Sequence, residues 1–345
     1  MIKLARVLLA TVLLALLVGI ARVAQENEPA GAKMVRAAET FVSSLTAEQQ
    51  TKALFEFDDK ERFNWHFVPL QDQQKKSTRK GLPLADMKPE QRQAALDLVK
   101  AGTSPDGDKK ATTIMSLESI LRELEKGGAM VRNPDWYFFA VFGKPEKSGR
   151  WGWRVEGHHL ALNFVVDGGK VVASTPAFFG ANPATVKSGL RKGLTTLPEA
   201  EDLARQLFKS LDESQKAVAL QQDQFQEIEQ GKKAPKVGDA KGLPAEKMSD
   251  QQRRILMQLV QSYAERMPAD IAAEELAQVK EAGIDKIHFA YAGGTETGEP
   301  HTYRVQGPSF VVEFLNVQSD SAGNKANHIH SAWRNIQGDF GLAAD

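Results

Sequence analysis

The sequence predicts an α+β fold built from two pseudo-symmetric repeats, each a run of helices followed by an antiparallel β-meander. Three blocks that recur in the same order carry this reading. In the first, residues 41–54 align with 207–220, and Leu45, Gln49, Ala53 and Leu54 meet Leu211, Gln215, Ala219 and Leu220. Thr46 and Asp212 stand where a short oxygen-bearing side chain accepts a free backbone N–H, so each copy reads as helix, cap, helix. In the second block, residues 80–83 are identical to 241–244. Met87, Gln91, Arg92, Leu98 and Val99 match Met248, Gln252, Arg253, Leu259 and Val260. Pro89 takes a first helical position, with Asp250 as its counterpart, and the apolar spacing that follows is helical. In the third block, 139–143 match 289–293 and 153–157 match 303–307. Aromatic and β-branched residues between turns at 144–149 and 294–299 read as antiparallel strands. The offset drifts from 166 to 161 to 150 residues (207 minus 41, 241 minus 80, 289 minus 139), as duplication with small deletions would leave it. The first repeat spans 34–190 and the second 195–345, with a Lys-, Gly- and Pro-rich loop at 230–242. The two sheets are expected to approach or join.

The chain has 345 residues, 42% hydrophobic and 26% charged, which is enough to bury a sizeable core without cross-links. Its 44 basic residues balance its 44 acidic ones, so no broad positive field is available to attract nucleic acid. There is no cysteine, which removes disulfides, thiolate ligands and cysteine nucleophiles together. At the N-terminus, Lys3 and Arg6 precede an uncharged run over 7–20. These 14 residues suit the core of a signal peptide and fall short of the roughly 20 of a membrane span. Gly19, Ala21 and Ala24 offer small residues for cleavage. A signal peptide is expected over 1–24, and with it a periplasmic or secreted protein that has no membrane association beyond this segment. An uncleaved N-terminal anchor is the alternative.

Candidate chemistry lies where the copies differ, because residues common to both are explained by the shared fold. Gly157 is followed by His158 and His159, whereas Gly307 is followed by Pro308 and Ser309. Asn163 is replaced in register by Glu313. The second copy adds Asn327-His328-Ile329-His330-Ser331, then Ala332, Trp333 and Arg334. Four of the seven histidines therefore sit in two short segments. In extended chain His328 and His330 project to the same side, as a metal-binding pair must. His158 and His159 are expected on opposite sides of a strand, so that one of them completes a set of three. Three neutral imidazoles with an open position suit zinc first, with copper or iron as alternatives. Glu313, in an alternating strand over 310–315, is a candidate ligand or general base, and Arg334 a candidate partner for an anionic group. The structural alternative is that these histidines hydrogen-bond within a polar core. Arg154 and Arg304 recur in both copies and read as ion-pair partners, Arg154 with Glu156. His66 between aromatics reads as packed, His288 and His301 as strand and turn residues, and 175–183 as a packed loop.

There is no Walker loop, no dinucleotide fingerprint after a strand, no nucleophile elbow and no His-Glu-x-x-His helix. The segments 65–69, 157–159, 175–183 and 327–331, with Gly307-Pro308, Trp333-Arg334 and Asp339-Phe340-Gly341, resemble a family catalogued as domain of unknown function 3500. The resemblance covers most of the chain after residue 24 and implies a shared fold. It implies no activity. The residues themselves point to a metal-dependent hydrolase acting on a small substrate, anionic where Arg334 is its partner. A non-catalytic metal- or ligand-binding protein is the second reading, and a copper- or iron-dependent oxidoreductase the third.

Overall fold

A computed structural model of the chain describes residues 28–342, and the expected signal peptide over 1–24 lies outside the described residues. The first half begins with helices α1 (Ala30–Ser44) and α2 (Ala47–Ala53) and the short strands β1 (Leu54–Phe55) and β2 (Leu82–Pro83). Helices α3 (Pro89–Gly102) and α4 (Pro105–Leu124) lead into β3 (Phe138–Phe142), β4 (Arg150–Gly157), β5 (Leu160–Asp167), β6 (Lys170–Ala173) and β7 (Ala177–Ala181). The second half follows with α5 (Pro198–Lys209), α6 (Glu213–Ala219), β8 (Leu243–Pro244), α7 (Asp250–Ala264) and α8 (Ala269–Ala282). It closes with β9 (His288–Gly293), β10 (His301–Gln306), β11 (Phe310–Gln318) and β12 (His328–Asn335). The fold is α+β, with eight α-helices among the described residues.

Several contacts recur in the two halves and explain why the matching residues are what they are. Thr46 and Asp212 each accept the N–H of a glutamine three residues on, Gln49 and Gln215, whose side chains return to the cap N–H in a capping box. The same two glutamines meet Gln91 and Gln252, at 2.9 and 3.0 Å, and so tie each short helix to the long helix after it. Leu82 lies opposite Phe139, and Leu243 opposite Phe289. Leu54 pairs in parallel with Val141, and Leu220 with Tyr291.

All twelve strands form one mixed sheet, ordered β1-β3-β4-β5-β7-β12-β11-β10-β9-β8, with β2 on β3 and β6 on β5. The halves join through antiparallel β7 and β12, from Ile329 opposite Ala181 to Trp333 opposite Ala177. Segment 175–183, expected as a packed loop, thus supplies the central strand. The prolines at 176 and 183 read as turn signals, yet five of the six residues between them form a strand. Alternation then sorts the sheet into two faces. Leu162, Phe179, Ile329 and Trp333 face the helices in the main core. Ala161, Phe178, Leu315 and Ala332 face a second core closed by Trp65, Phe67, Ile228 and Phe340 from the loops. No helix among the described residues is long and apolar enough to cross a membrane.

His301 on β10 is fully buried, stacked between Tyr291 and Phe314 with ring centroids at 5.7 and 5.5 Å. Burial pushes its pKa down to about 4. The unfolded chain takes up this proton near pH 6.5, and the folded chain does so only near 4. Stability is therefore lost as pH falls through that window. His301→Gln should flatten the dependence of unfolding free energy on pH between about 6.5 and 4, by on the order of 3 kcal/mol over the window. Denaturant titrations at several pH values measure it, and an unchanged slope would assign the acid sensitivity elsewhere.

Candidate metal centre

The centre starts at the tight hairpin between β4 and β5. Gly157 pairs with Leu160, so His158 and His159 are the two turn residues and not, as expected, successive strand positions. A two-residue turn needs positive φ, and here His159 supplies it, at φ 64°. Glycine or asparagine takes that conformation at less cost. The backbone is clamped on both sides: His159 N–H donates to Phe67 O at 2.9 Å, and Gly180 N–H donates to His159 O at 2.8 Å. Gly180 also makes room for the ring. A Cβ there would come within 2.7 Å of Ile329 O and 3.1 Å of the His159 imidazole.

Gly180 lies opposite His330 across the β7–β12 seam. The seam thereby sets the His159 ring against the two histidines of β12. His159, His328 and His330 each offer a ring nitrogen, and these atoms lie within 4.8 Å of one another. His159 Nε2 and His328 Nε2 are 2.7 Å apart, a hydrogen bond between two neutral rings. These two rings would have to part slightly to hold an ion between them. Three histidines so placed could hold a metal ion.

The surroundings favour uncharged rings. Burial, reinforced by the neighbouring imidazoles, holds His159 well below its ordinary pKa and pushes His328 down to about 3. Each neutral ring keeps one lone pair, and whichever ring donates the Nε2–H would move that proton to Nδ1 for Nε2 to take a ligand role. His330 Nδ1 meets Glu227 Oε2 at 2.8 Å. A carboxylate behind a histidine fixes the ring's tautomer and leaves Nε2 as the coordinating nitrogen. Phe67 and Phe178, stacked with centroids 3.8 Å apart, wall the His330 ring. His159 and His330 are buried and His328 is half-buried, so the group meets solvent on the His328 side.

His158, also expected as a ligand, lies outside the group. It stacks on the His159 ring at 3.8 Å and turns Nδ1 to Glu118 Oε2 at 2.7 Å, with Arg132 Nη1 at 3.2 Å. Its position in the turn aims it at helix α4, away from β12. Glu313 is neither ligand nor neighbour of the ring nitrogens. It pairs with Arg304, its partner across β10 and β11, at 2.8 Å, and burial raises its pKa. Arg334 is fully buried and spent on structure. Its Nε meets Asp339 Oδ2 at 2.6 Å, its Nη1 and Nη2 reach the carbonyls of Glu229 and Lys232, and the guanidinium lies over Trp65. It cannot take an anionic substrate group. Arg154 does pair with Glu156, at 3.4 Å, and with Glu61. Sequence reasoning missed Glu227 and Glu118. Glu227 sits in an irregular stretch without a motif, and Glu118 lies on the buried face of α4, where nothing local marks it as the partner of His158.

Fold and site together define an α+β protein with a buried cluster of three histidines that could hold a metal ion. The chain belongs to the family described as protein of unknown function (DUF3500), whose model matches residues 27–342. No curated protein and no solved structure matches the chain.

The geometry separates ligands from their supports. His159→Gly, which suits the turn, should keep the fold and lose bound metal, measured by elemental analysis or by Co²⁺ absorption. His158→Ala should keep metal stoichiometry. Glu227→Gln should weaken affinity by about 10- to 100-fold. Metal retained by His159→Gly would remove that ring from the site. Arg334→Met, by contrast, strands Asp339 in the interior and should cost about 3–5 kcal/mol of stability in denaturant unfolding. A soluble variant of unchanged stability would contradict the structural role.

Proposed function

We propose that the protein is an exported, metal-dependent hydrolase of a small substrate, with His159, His328 and His330 as the metal ligands. The observation that carries this reading is the convergence of three imidazoles from opposite halves of the chain, within 4.8 Å of one another. Zinc suits three neutral imidazoles best, and copper or iron would also fit. His159, His328 and His330 would hold such an ion, which would supply an activated water and Lewis-acid polarisation of a substrate carbonyl or phosphoryl oxygen. The chain's own residues supply the setting. Glu227 holds His330 in one tautomer, the strained turn and the His158 ring hold His159, and burial keeps His159 and His328 unprotonated. Export rests on Lys3, Arg6 and the apolar run over 7–20.

We also read the two halves as diverged copies of one unit. The recurring order of elements and the paired glutamine contacts support this. On that reading, all three ligands come from places where the copies differ.

The experiment compares the purified protein with the His328→Ala, His330→Ala double variant. The native protein should carry about one equivalent of metal and the variant none. Hydrolysis of ester, amide or phosphoester probes should stop with a chelator and return with one metal. Equal metal in both proteins would end the shared site. Stoichiometric metal without turnover would favour a binding protein, and redox turnover with copper or iron an oxidoreductase. An N-terminus at Met1 in the cytoplasmic fraction would reject export.

A further inference from the structure

We propose that the chamber beside the three histidines binds a neutral, polyhydroxylated ligand, a sugar of mono- to disaccharide size, and holds it next to the metal centre. The link to catalysis rests on the hydrolase reading above, whereas the binding itself does not.

The chamber encloses about 480 Å³, within the range of small-molecule sites. It opens on the sheet face that bears His330. Glu313, in its floor, lies opposite Ala332, two residues from His330 on the neighbouring strand. That is about 7 Å along the strand and one strand spacing of roughly 4.8 Å across. Glu227 belongs to both places. It lines the chamber, its side chain is 42% exposed, and its Oε2 meets His330.

The floor specifies a hydroxyl. Arg304 Nη2 donates to Glu313 Oε1 at 2.8 Å, Nη1 donates to Val237 O at 3.2 Å, and the guanidinium lies 4.5 Å over the Phe225 ring. Arg304 Nε is buried with no partner. Glu313 Oε2 takes no hydrogen bond among the described residues. The free Glu313 oxygen can accept from a hydroxyl, and the lysines and glutamine amides of the lining can donate to one, so the chamber complements groups that both donate and accept. The walls repeat the mixture. Asp223, Glu227, Glu229, Lys236 and Lys241 all line the chamber, together with several glutamine amides. A phosphorylated or carboxylated ligand would meet the carboxylates, and a polyamine would meet Arg304 and the lysines. A neutral ligand rich in hydroxyls satisfies both kinds of group.

The test titrates the full exported chain, metal-loaded and metal-stripped, with glucose, galactose, maltose and cellobiose. Glucose 6-phosphate and glucosamine serve as charged controls, and calorimetry is the readout. At least one neutral sugar should bind saturably in both metal states and more tightly than either control. Glu313→Gln, which keeps one acceptor oxygen but removes the charge, should weaken that sugar about tenfold. Gln226→Trp, an exposed wall substitution that fills the chamber without touching the core, should abolish binding. No neutral sugar binding in either state, preference for a charged control, or undiminished binding by Gln226→Trp would overturn the proposal. The two readings fail separately. Sugar binding by a chain that holds no metal leaves the chamber standing and removes the hydrolase. Metal-dependent turnover without sugar binding does the reverse.

Discussion

The antiparallel pairing of β7 with β12 is the contact on which the rest of the molecule depends. It fuses two runs of strands, each carrying its own helices, into a single twelve-stranded sheet. It also sets His330 opposite Gly180, the one position where the absent side chain leaves space for the His159 ring. Backbone hydrogen bonds fix that register to the residue, and a slip of one would turn His328 and His330 to the helix face. The site is a consequence of the seam, and neither half could form it alone.

Holding three imidazoles in a dry place sets one physical demand against another. Burial disfavours charge, so His159 and His328 stay neutral and keep their lone pairs. The same burial would make an unpaired ring N–H costly, and the structure answers with Glu227 behind His330 and a ring-to-ring hydrogen bond between His159 and His328. The left-handed backbone at His159 is a further local cost in a turn where glycine would be easier. Such a residue persists where its side chain is needed.

The loops that complete this face are anchored by buried and half-buried arginines rising from the sheet. Arg154 reaches Glu61 O, Arg304 reaches Val237 O and Arg334 reaches Glu229 O, at 2.8, 3.2 and 3.0 Å. Arg79, itself from a loop, bonds the carbonyls of His66 and Val68 on either side of Phe67. Each guanidinium satisfies loop carbonyls that no regular structure would satisfy, and a nearby carboxylate balances its charge. Phe67, Glu227 and the chamber wall owe their positions to these ties. A face made mostly of irregular chain can therefore present an ordered site.

The N-caps at Thr46 and Asp212, the helix start at Pro89, the hairpins around 144–149 and 294–299 and the ion-pair roles of Arg154 and Arg304 were all legible in the sequence. They are local, or they are paired across adjacent strands, and their signals lie within a few residues. The same-side projection of His328 and His330 was legible for the same reason, since a period of two belongs to any strand. The choice of His159 over His158 was not, because it depends on which turn residue takes positive φ and on what packs above each ring. Nor was the diversion of Glu313 and Arg334 into ion pairs, since their partners are chosen by the sheet and the loops that cover it. Segment 175–183 carried its aromatic pattern openly, but strand identity came from β12 on one side and β5 on the other. By itself the sequence determined the residue types available for chemistry and the local elements that bear them. The long-range pairing of β7 with β12 decided which of those residues meet, because residue 159 and residues 328 and 330 become neighbours only when the two halves share one sheet.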